Sequence, residues 1–459
     1  MVRIPEGITL VVGLGLSGRA ICRHLGRRGV PFMVADTRAA PPGLDDFRAA
    51  HPGVAVHLGP LTGLDLATVE EVVVSPGVDP GTPGLEALAG RTRAATGEPL
   101  VVGEMALFVR EARAPIAAIT GANAKSTVTT LVGEMAREAG VHVAVGGNLG
   151  TPALDLLDAA PDAELFVLEL SSFQLETTPR LGAETAAFLN LSEDHLDRHG
   201  DMAGYRAAKL GIFRGARHAV VNAEDPMTWP DAPVPALDRF TTGAPAGDDW
   251  GIAGREGRDW LMHGTTPLMP AAEVRLPGRH NQANALAALA MGHRLGLPLA
   301  AMCAVLRCFP GLPHRGELVA EAGGVRWIND SKGTNVGATL AAIAGLGPTL
   351  EGRLILLAGG VGKGADFTPL AAPLARFGRE AILFGEDAAS LEAALVGQLP
   401  LTRADDLEAA LQRAAAIAAP GDCVLLSPAC ASLDQFPGFA ARGDAFRRWV
   451  TRHLAEEGA

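Results

Sequence analysis

The stretch Ile116 to Leu131, IAAITGANAKSTVTTL, constrains the possible folds of this chain more than any other segment. Ile116 to Thr120 are strand-forming or small residues, and they lead into the segment Gly121 to Thr127. Val128 to Arg137 then has the composition of a helix. In a strand, loop and helix of this order, the backbone N–H groups of the loop and the positive end of the helix dipole point at one place. The stretch therefore predicts a polyphosphate-binding loop.

Side chains of this loop fit the same chemistry. Lys125 supplies a positive charge for the outer phosphates, and the hydroxyl of Ser126 or Thr127 can reach a bound Mg2+. The alternative is an ordinary glycine-containing turn with an exposed lysine. The short motif leaves both interpretations open, and the rest of the chain has to decide between them.

Composition limits the class of protein. The chain has 459 residues, which corresponds to about three domains, and its 48% hydrophobic residues and 56 glycines are typical of α/β sheets with many tight turns. The net charge of -12 argues against a general nucleic-acid binder. The five cysteines lack metal-ligand spacing, and we find neither a secretion signal nor an apolar run long enough to span a membrane. We expect a cytoplasmic protein with reduced thiols, no nucleic-acid partner and no membrane span.

The N-terminal segment contains a second nucleotide-binding pattern. A strand, Ile8 to Val12, is followed by GLGLSG, by a helical pattern and by a strand that ends at Asp36. This is the G-x-G-x-x-G fingerprint in its usual strand, turn and helix context. By itself it favours a nicotinamide dehydrogenase, which is the competing enzyme class. Ser75 to Gly77 follow another strand and could face the same crevice, although a plain turn explains them equally well.

Candidate catalytic residues follow strands of the middle segment. Glu169 comes directly after an apolar strand, and His195 follows the next one. Ligands of open α/β sheets bind beyond the carboxyl ends of the strands, so both side chains could face the phosphate loop. Lys209 lies in a predicted helix, Gly204 to Arg214. Taken alone, each of the three also fits a purely structural role.

The whole chain predicts an α/β fold of three domains. Boundaries near Gly103 and Gly311 divide it into residues 1–103, 104–311 and 312–459. The first and third are predicted to be Rossmann-like, and the middle one a P-loop ATPase-like domain with a parallel sheet. Residues 240–276 predict a small antiparallel addition to that middle domain.

Ten motifs, taken in order, resemble those of the Mur ligases over nearly the whole length. They are GLGLSG, ITGANAKSTVTTL, VGGNLG, LELSSFQLE, LSEDHLDRH, YRAAKL, GRHNQANALAA, GLPHR, NDSKGTNVGAT and LLSPACASLDQF. The resemblance is greatest to the members that add glutamate, and it implies a cytoplasmic step of peptidoglycan precursor synthesis. In the implied reaction, ATP would phosphorylate the carboxylate of UDP-N-acetylmuramoyl-L-alanine, and the amine of D-glutamate would attack the acyl phosphate. Other ligases of the superfamily, including folylpolyglutamate synthase, and a non-catalytic nucleotide-binding regulator are the alternatives.

The resemblance also implies residue roles. The ATP-binding residues would be Gly121, Ala122, Asn123, Ala124, Lys125, Ser126, Thr127, Asn281, Asn284, Arg315 and Asp330. The UDP-sugar would contact Leu16, Ser17, Asp36, Thr37, Arg38, Ser75, Gly77, Asn148 and Gln174. Glutamate would contact Lys332, Thr334, Lys363, Ser432 and Phe439.

Two Mg2+ ions would accompany ATP, and Ser126, Glu169, His195 and Lys209 would bind them. Lys209 would do so as a carbamate, because a hard dication takes oxygen ligands and an ammonium would repel it. Lys125, His195 and Lys209 are the implied catalytic residues, in an enzyme that acts as a monomer.

Ala124 departs from the family pattern, which often has glycine before the loop lysine. Where a left-handed backbone is required, a Cβ costs roughly 1–2 kcal/mol. Either the loop does not need a positive φ at Ala124, or this chain carries strain there.

Overall fold

The computed structural model of this chain describes residues 2–457. The chain divides into two compact units, and each contains more than one stretch of sequence. The first consists of Met1–Asn190, Ala203–Met269 and Asn284–Val305, and the second consists of Leu191–Met202, Pro270–Ala283 and Leu306–Ala459.

The N-terminal part of the first unit contains a five-stranded parallel sheet with the strand order β4-β3-β2-β6-β7. Two further short strands, β1 and β5, pair in parallel. The predicted strand, turn and helix of the GLGLSG fingerprint are confirmed as β2, the loop and α1. The elements are β1 (Val2–Arg3), β2 (Thr9–Val12), α1 (Leu16–Arg28), β3 (Phe32–Asp36), α2 (Leu44–Ala50), β4 (Val56–Leu58), β5 (Leu64–Asp65), β6 (Glu71–Val74), β7 (Val101–Gly103) and α3 (Glu104–Glu111).

A nine-stranded sheet follows, with the order β16-β15-β14-β13-β12-β11-β8-β10-β9. Strands β8 to β13 are parallel, whereas β14 and β15 form an antiparallel hairpin, so the predicted antiparallel addition is confirmed but begins at Trp250. The elements are β8 (Ile116–Thr120), α4 (Lys125–Glu138), β9 (Val143–Gly147), α5 (Ala153–Ala159), β10 (Leu165–Glu169), α6 (Ser172–Glu176), β11 (Thr185–Phe188), α7 (Leu196–His199), α8 (Met202–Leu210), β12 (His218–Asn222), β13 (Ala236–Phe240), β14 (Trp250–Arg255), β15 (Arg258–His263), β16 (Thr266–Pro270), α9 (Arg279–Arg294) and α10 (Leu299–Cys308).

The second unit contains a six-stranded sheet with the order β17-β18-β22-β19-β20-β21, which is parallel except for the edge strand β17. Alternate residues of β19 enter opposite cores: Leu354 and Leu356 lie in one, Ile355 and Leu357 in the other. Apolar layers on both faces confirm the predicted doubly wound pattern. The elements are β17 (Glu317–Ala322), β18 (Val325–Asn329), α11 (Val336–Leu346), β19 (Leu354–Gly359), α12 (Ala371–Phe377), β20 (Gly378–Phe384), α13 (Ala388–Leu395), β21 (Leu401–Arg403), α14 (Leu407–Ile417), β22 (Cys423–Leu426) and α15 (Phe439–Glu457).

Among residues 2–457, no helix is both long enough and apolar enough to span a bilayer. All five cysteines are present as free thiols.

The loop before helix α4 has a left-handed backbone. Ala124 is the N-cap of α4 and has φ of 65° and ψ of -4°. The helix consequently begins at Lys125, three residues before the predicted Val128. A positive φ is unfavourable for any residue with a Cβ. The loop therefore does require the conformation that glycine adopts easily, and Ala124 carries strain.

We predict that Ala124→Gly stabilises the protein. The substitution removes the Cβ penalty of roughly 1–2 kcal/mol, and the greater freedom of glycine in the unfolded chain offsets about 0.4–1 kcal/mol of that gain. The free energy of unfolding of the first unit should rise by up to about 1.6 kcal/mol, measured from the urea midpoint. Ala122→Gly is the matched control in the same loop and should destabilise, since Ala122 is buried and has no positive φ. A lower midpoint for Ala124→Gly would contradict the assignment of strain.

Candidate functional site

The phosphate loop extends from the carboxyl end of β8, a strand whose residues are all buried in the middle of the nine-stranded sheet. Asn190, just beyond β11, holds the loop from the side. Its backbone carbonyl accepts from the Ala122 N–H at 2.9 Å, and its side-chain oxygen accepts from the Asn123 N–H at 2.8 Å. These two bonds hold the backbone of the loop in place. Asn190 was not predicted as a site residue, because the sequence pattern placed it inside the strand Ala186 to Leu191, whereas β11 ends at Phe188.

Two lysines converge on one carbonyl at the root of this loop. Lys125 Nζ donates to Gly121 O at 2.8 Å and to Ala122 O at 3.0 Å. Lys209 Nζ donates to the same Gly121 O at 2.8 Å and lies 4.7 Å from the centre of the Tyr205 ring. Lys209 is 1% exposed, so its ammonium group is not in contact with bulk solvent. A lysine ammonium at the base of a loop of N–H donors is suited to a polyanion.

Glu169 connects the phosphate loop to the neighbouring strand β9. It is the last residue of β10 rather than the first residue beyond it, and it is buried. One carboxylate oxygen accepts from Ser126 Oγ at 2.5 Å, and the other accepts from Asn148 Nδ2 at 2.7 Å. A carboxylate next to a hydroxyl is a donor set that suits a hard cation such as Mg2+. Within residues 2–457, no group of three or more His, Cys, Asp or Glu side chains is placed to hold a metal by itself.

A cavity of about 640 Å3 lies in the same unit, between the N-terminal sheet and the loop after β9. All nine residues predicted for the UDP-sugar line it, together with nine that were not predicted. The additional lining residues are Gly13, Gly15, Pro76, Val78, Asp79, Thr82, Gly147, Gly150 and Pro152.

Asp36 organises one side of this cavity. Its carboxylate accepts from the backbone N–H of Leu14 at 2.8 Å and of Arg38 at 3.0 Å, and from the Arg38 guanidinium at 2.7 Å. Burial alone would raise the pKa of Asp36, but these hydrogen bonds outweigh it and hold the pKa below the ordinary value. Leu16 is 70% exposed beside it and offers an apolar surface for a ring. A charged carboxylate with an apolar neighbour is suited to a polar heterocycle.

The second unit gathers the residues predicted for glutamate. His195, Thr334 and Lys363 line one small cavity, where Lys363 Nζ forms an ion pair with Asp194 at 2.7 Å. Lys332 Nζ lies 4.1 Å from the centre of the Phe439 ring. Ser432 is buried and lies in the segment between β22 and α15.

The residues predicted for ATP are divided between the two units. The phosphate loop and Asn284 belong to the first, whereas Asn281, Arg315 and Asp330 belong to the second. Asn281 Nδ2 donates to Pro277 O at 2.8 Å. Asp330 accepts from Ser427 Oγ at 2.7 Å, and its removal from bulk solvent raises its pKa to about 6. The predicted metal ligand His195 also lies in the second unit, apart in the chain from Ser126 and Glu169.

Arg442 was not predicted. It is fully buried in α15 and donates to Ser331 O at 2.9 Å, Cys430 O at 3.1 Å and Gly359 O at 3.3 Å. Burial lowers its pKa to about 10, which leaves it charged at neutral pH. The guanidinium joins the segments after β18 and β22 to the last residue of β19 and adds positive charge there. No local sequence signal distinguishes it from the other arginines of α15.

Three family models match successive parts of the chain. They are the Mur ligase MurD-like N-terminal domain over residues 8–97, the Mur ligase middle domain over residues 119–292, and the Mur ligase glutamate ligase domain over residues 314–430.

Relatives match over the full length. The UDP-N-acetylmuramoylalanine–D-glutamate ligase of Chromohalobacter salexigens is 71% identical, with 98% of each chain covered. The enzyme of that name from Pseudomonas aeruginosa is 52% identical, covering 96% of this chain and 97% of its own. The crystal structure of MurF ligase from Thermotoga maritima in complex with ADP has a TM-score of 0.62 at 17% identity, covering 99% of this chain and 96% of that one. The dehydrogenase alternative is therefore wrong, and this chain belongs to the Mur ligase family.

Proposed function

We propose that this protein is an ATP-dependent ligase that joins D-glutamate to UDP-N-acetylmuramoyl-L-alanine in peptidoglycan precursor synthesis. One observation supports this most directly. Asn148 lines the 640 Å3 cavity and bonds to Glu169, and Glu169 bonds to Ser126 of the phosphate loop. Two side-chain hydrogen bonds thus link the cavity for one nucleotide to the phosphate site of another. The relatives named above carry the same activity in their names.

The chemistry requires this proximity. A carboxylate is a poor acylating agent because its oxygen is a poor leaving group. In the proposed reaction a carboxylate oxygen of the UDP-linked alanine attacks the γ-phosphorus of ATP, and ADP leaves. The nitrogen of D-glutamate, after losing a proton, attacks the acyl carbon, and inorganic phosphate leaves with the former carboxylate oxygen. An acyl phosphate is readily hydrolysed, so the site must exclude water while it exists.

The phosphate loop provides the positive charge for the first step. We assign Gly121 to Thr127 to the ATP phosphates, with Lys125 at the γ-phosphate, where negative charge is redistributed during transfer. Asn281, Asn284, Arg315 and Asp330 are assigned to the rest of ATP. Bound Mg2+ ions would neutralise phosphate charge. The donor set of Ser126 and Glu169 fits one, and the resemblance further assigns His195 and Lys209 to the metals.

Lys209 fits a carbamate better than an ammonium. Carbon dioxide reacts only with a neutral amine, and burial together with a second lysine on the same carbonyl oxygen both disfavour the charged form. A carbamate would replace one of two adjacent cations with an anion and would present oxygens to a metal.

We assign glutamate to the second unit. Lys332 and Lys363 suit the two carboxylates of this amino acid, and Thr334 and Ser432 supply hydroxyls. Phe439 packs against the Lys332 ammonium and limits its positions.

We further propose that the enzyme is a cytoplasmic monomer with domains at residues 1–103, 104–311 and 312–459. Its role in wall synthesis would make it necessary for cell shape and division.

Phosphate release from ATP should depend on both other substrates. We expect release only when UDP-N-acetylmuramoyl-L-alanine and D-glutamate are present together, measured by a coupled phosphate assay. L-Glutamate, D-aspartate and a folate substrate are the controls, and each should give a background rate. Equal rates with a folate substrate would favour the folylpolyglutamate alternative. ATP binding without any amino-acid-dependent release would favour the regulator.

Lys209→Ala should be nearly inactive and should recover part of its activity in millimolar-range acetate. The substitution removes the metal-binding oxygens and leaves a cavity that a small carboxylate can enter. Lys209→Arg should stay inactive with or without acetate, because arginine forms no carbamate. Acetate should leave the wild-type rate unchanged. Full activity of Lys209→Ala without added carboxylate would refute the carbamate.

A further inference from the structure

Asp194 and Lys363 form an ion pair within the second unit, although they lie 169 positions apart in the chain. Lys363 Nζ donates to Asp194 Oδ1 at 2.7 Å, and the two side chains are 22% and 11% exposed, respectively. Water and salt screen a pair in such a partly buried place less than a pair on the surface. Removing the partner of either charge is therefore costly.

The Asp194 carboxylate is held from two further directions. Its Oδ1 also accepts from the His195 N–H at 3.0 Å, and its Oδ2 accepts from Asn335 Nδ2 at 3.4 Å. Asn335 is itself fixed, because its side-chain oxygen caps α11 by accepting from the Ala338 N–H at 2.9 Å. The backbone is left-handed at His195, with φ of 54°, and at Lys363, with φ of 56°. The carboxylate therefore has a defined position in front of the ammonium.

This ion pair occupies a place where glutamate would have to bind. Lys363 and Thr334, both assigned to glutamate above, line the same cavity as Asp194, and its volume is about 10 Å3. That is room for about one water molecule. A carboxylate of glutamate can reach the Lys363 ammonium only if Asp194 moves away or shares it. Sharing places two carboxylates beside one ammonium, and the like charges repel each other.

An α-amino acid avoids this repulsion, because it carries both charges. Its carboxylate can take the place of Asp194 at Lys363, while its ammonium takes the place of Lys363 at Asp194. Two ion pairs then replace one, and every charge keeps a partner of opposite sign. A dicarboxylate without an amino group, such as glutarate, would pair with Lys363 but bring no cation to Asp194. The cost of separating Asp194 from its cation distinguishes the two kinds of ligand.

We propose that Asp194 is a specificity-determining residue that selects an α-amino acid over a simple dicarboxylate by exchanging ion pairs with it. This inference deepens the proposed function and rests on it for the assignment of Lys363 to glutamate. The exchange concerns the binding of the amino acid with its amine still protonated. The loss of that proton, which must precede attack on the acyl carbon, is a separate step.

The test is the affinity of the full chain for D-glutamate and for glutarate, titrated separately into the millimolar range by calorimetry. Asp194→Asn keeps the size of the side chain and removes its charge. It should weaken D-glutamate binding about tenfold, because the ammonium loses its anionic partner, and strengthen glutarate binding about fivefold, because Lys363 is no longer neutralised. Asp194→Ala should shift the two affinities in the same two directions, which covers the case that the new amide disturbs the loop. In the phosphate-release assay, KM for D-glutamate should rise with the loss of affinity.

The matched control is Glu193→Gln. Glu193 carries the same charge and lines the same cavity, but among residues 2–457 Lys363 forms its ion pair with Asp194 and not with Glu193. Both affinities of this variant should stay within twofold of wild type.

The opposite directions of the two shifts separate the proposal from simpler explanations. A purely structural role of Asp194 would weaken both ligands together, and equal shifts in Glu193→Gln would assign the effect to general charge. Either result would overturn the exchange, as would unchanged glutarate affinity in both Asp194 variants or a wild-type protein that does not bind D-glutamate. A wild-type protein that binds D-glutamate but releases no phosphate would refute the proposed function and leave this inference standing.

Discussion

The carboxylate of Glu169 is the interaction on which the arrangement of the first unit depends. It is buried at the end of β10, and an ionised carboxylate in such a place is costly unless its oxygens are bonded. Ser126 and Asn148 supply those bonds from the loops after β8 and β9. Three adjacent strands are thereby joined at their carboxyl ends. The position of the phosphate loop relative to the neighbouring cavity is fixed by the same bonds.

Strained backbone is concentrated at the same ends of the sheets. Ala124, His195, His314, Lys363 and Ala429 all have positive φ, and each lies in or next to a segment that the motifs assign to ligand binding. Glu256, in the turn between β14 and β15, is the exception. Each such residue costs of order 1–3 kcal/mol, so the surrounding packing must enforce the conformation. The buried strands next to these loops hold the loop backbones in unfavourable conformations. The directions of the backbone N–H groups and side chains in the loops are thereby fixed.

Local charge in this protein opposes its overall charge. The chain carries a net charge of -12, yet the Lys125 ammonium lies at the phosphate loop and the Arg442 guanidinium is buried in α15. The acidic surface is compatible with anionic substrates because these cations lie in concave, low-dielectric places where their field is less screened. The proposed ligase chemistry needs this, since all three of its substrates are anions.

The order of strands and helices and both nucleotide-binding patterns could be predicted from the sequence alone, because hydrophobic periodicity and glycine placement act over a few residues. The family was indicated separately, by the resemblance of ten motifs taken in order. The ends of the elements were predicted less accurately. Helix α4 begins at Lys125 because the backbone of Ala124 is left-handed, and the edge strand β17 was not predicted. Only the tertiary structure decided which distant residues meet. Glu104 accepts from the Leu154 N–H at the start of α5, Asn190 holds the phosphate loop, and Arg442 joins the ends of three strands. These contacts join residues that are distant in the sequence and lie in segments without a recognisable motif. Crossover connections bring such residues together, because they place the carboxyl ends of parallel strands at one edge of the sheet.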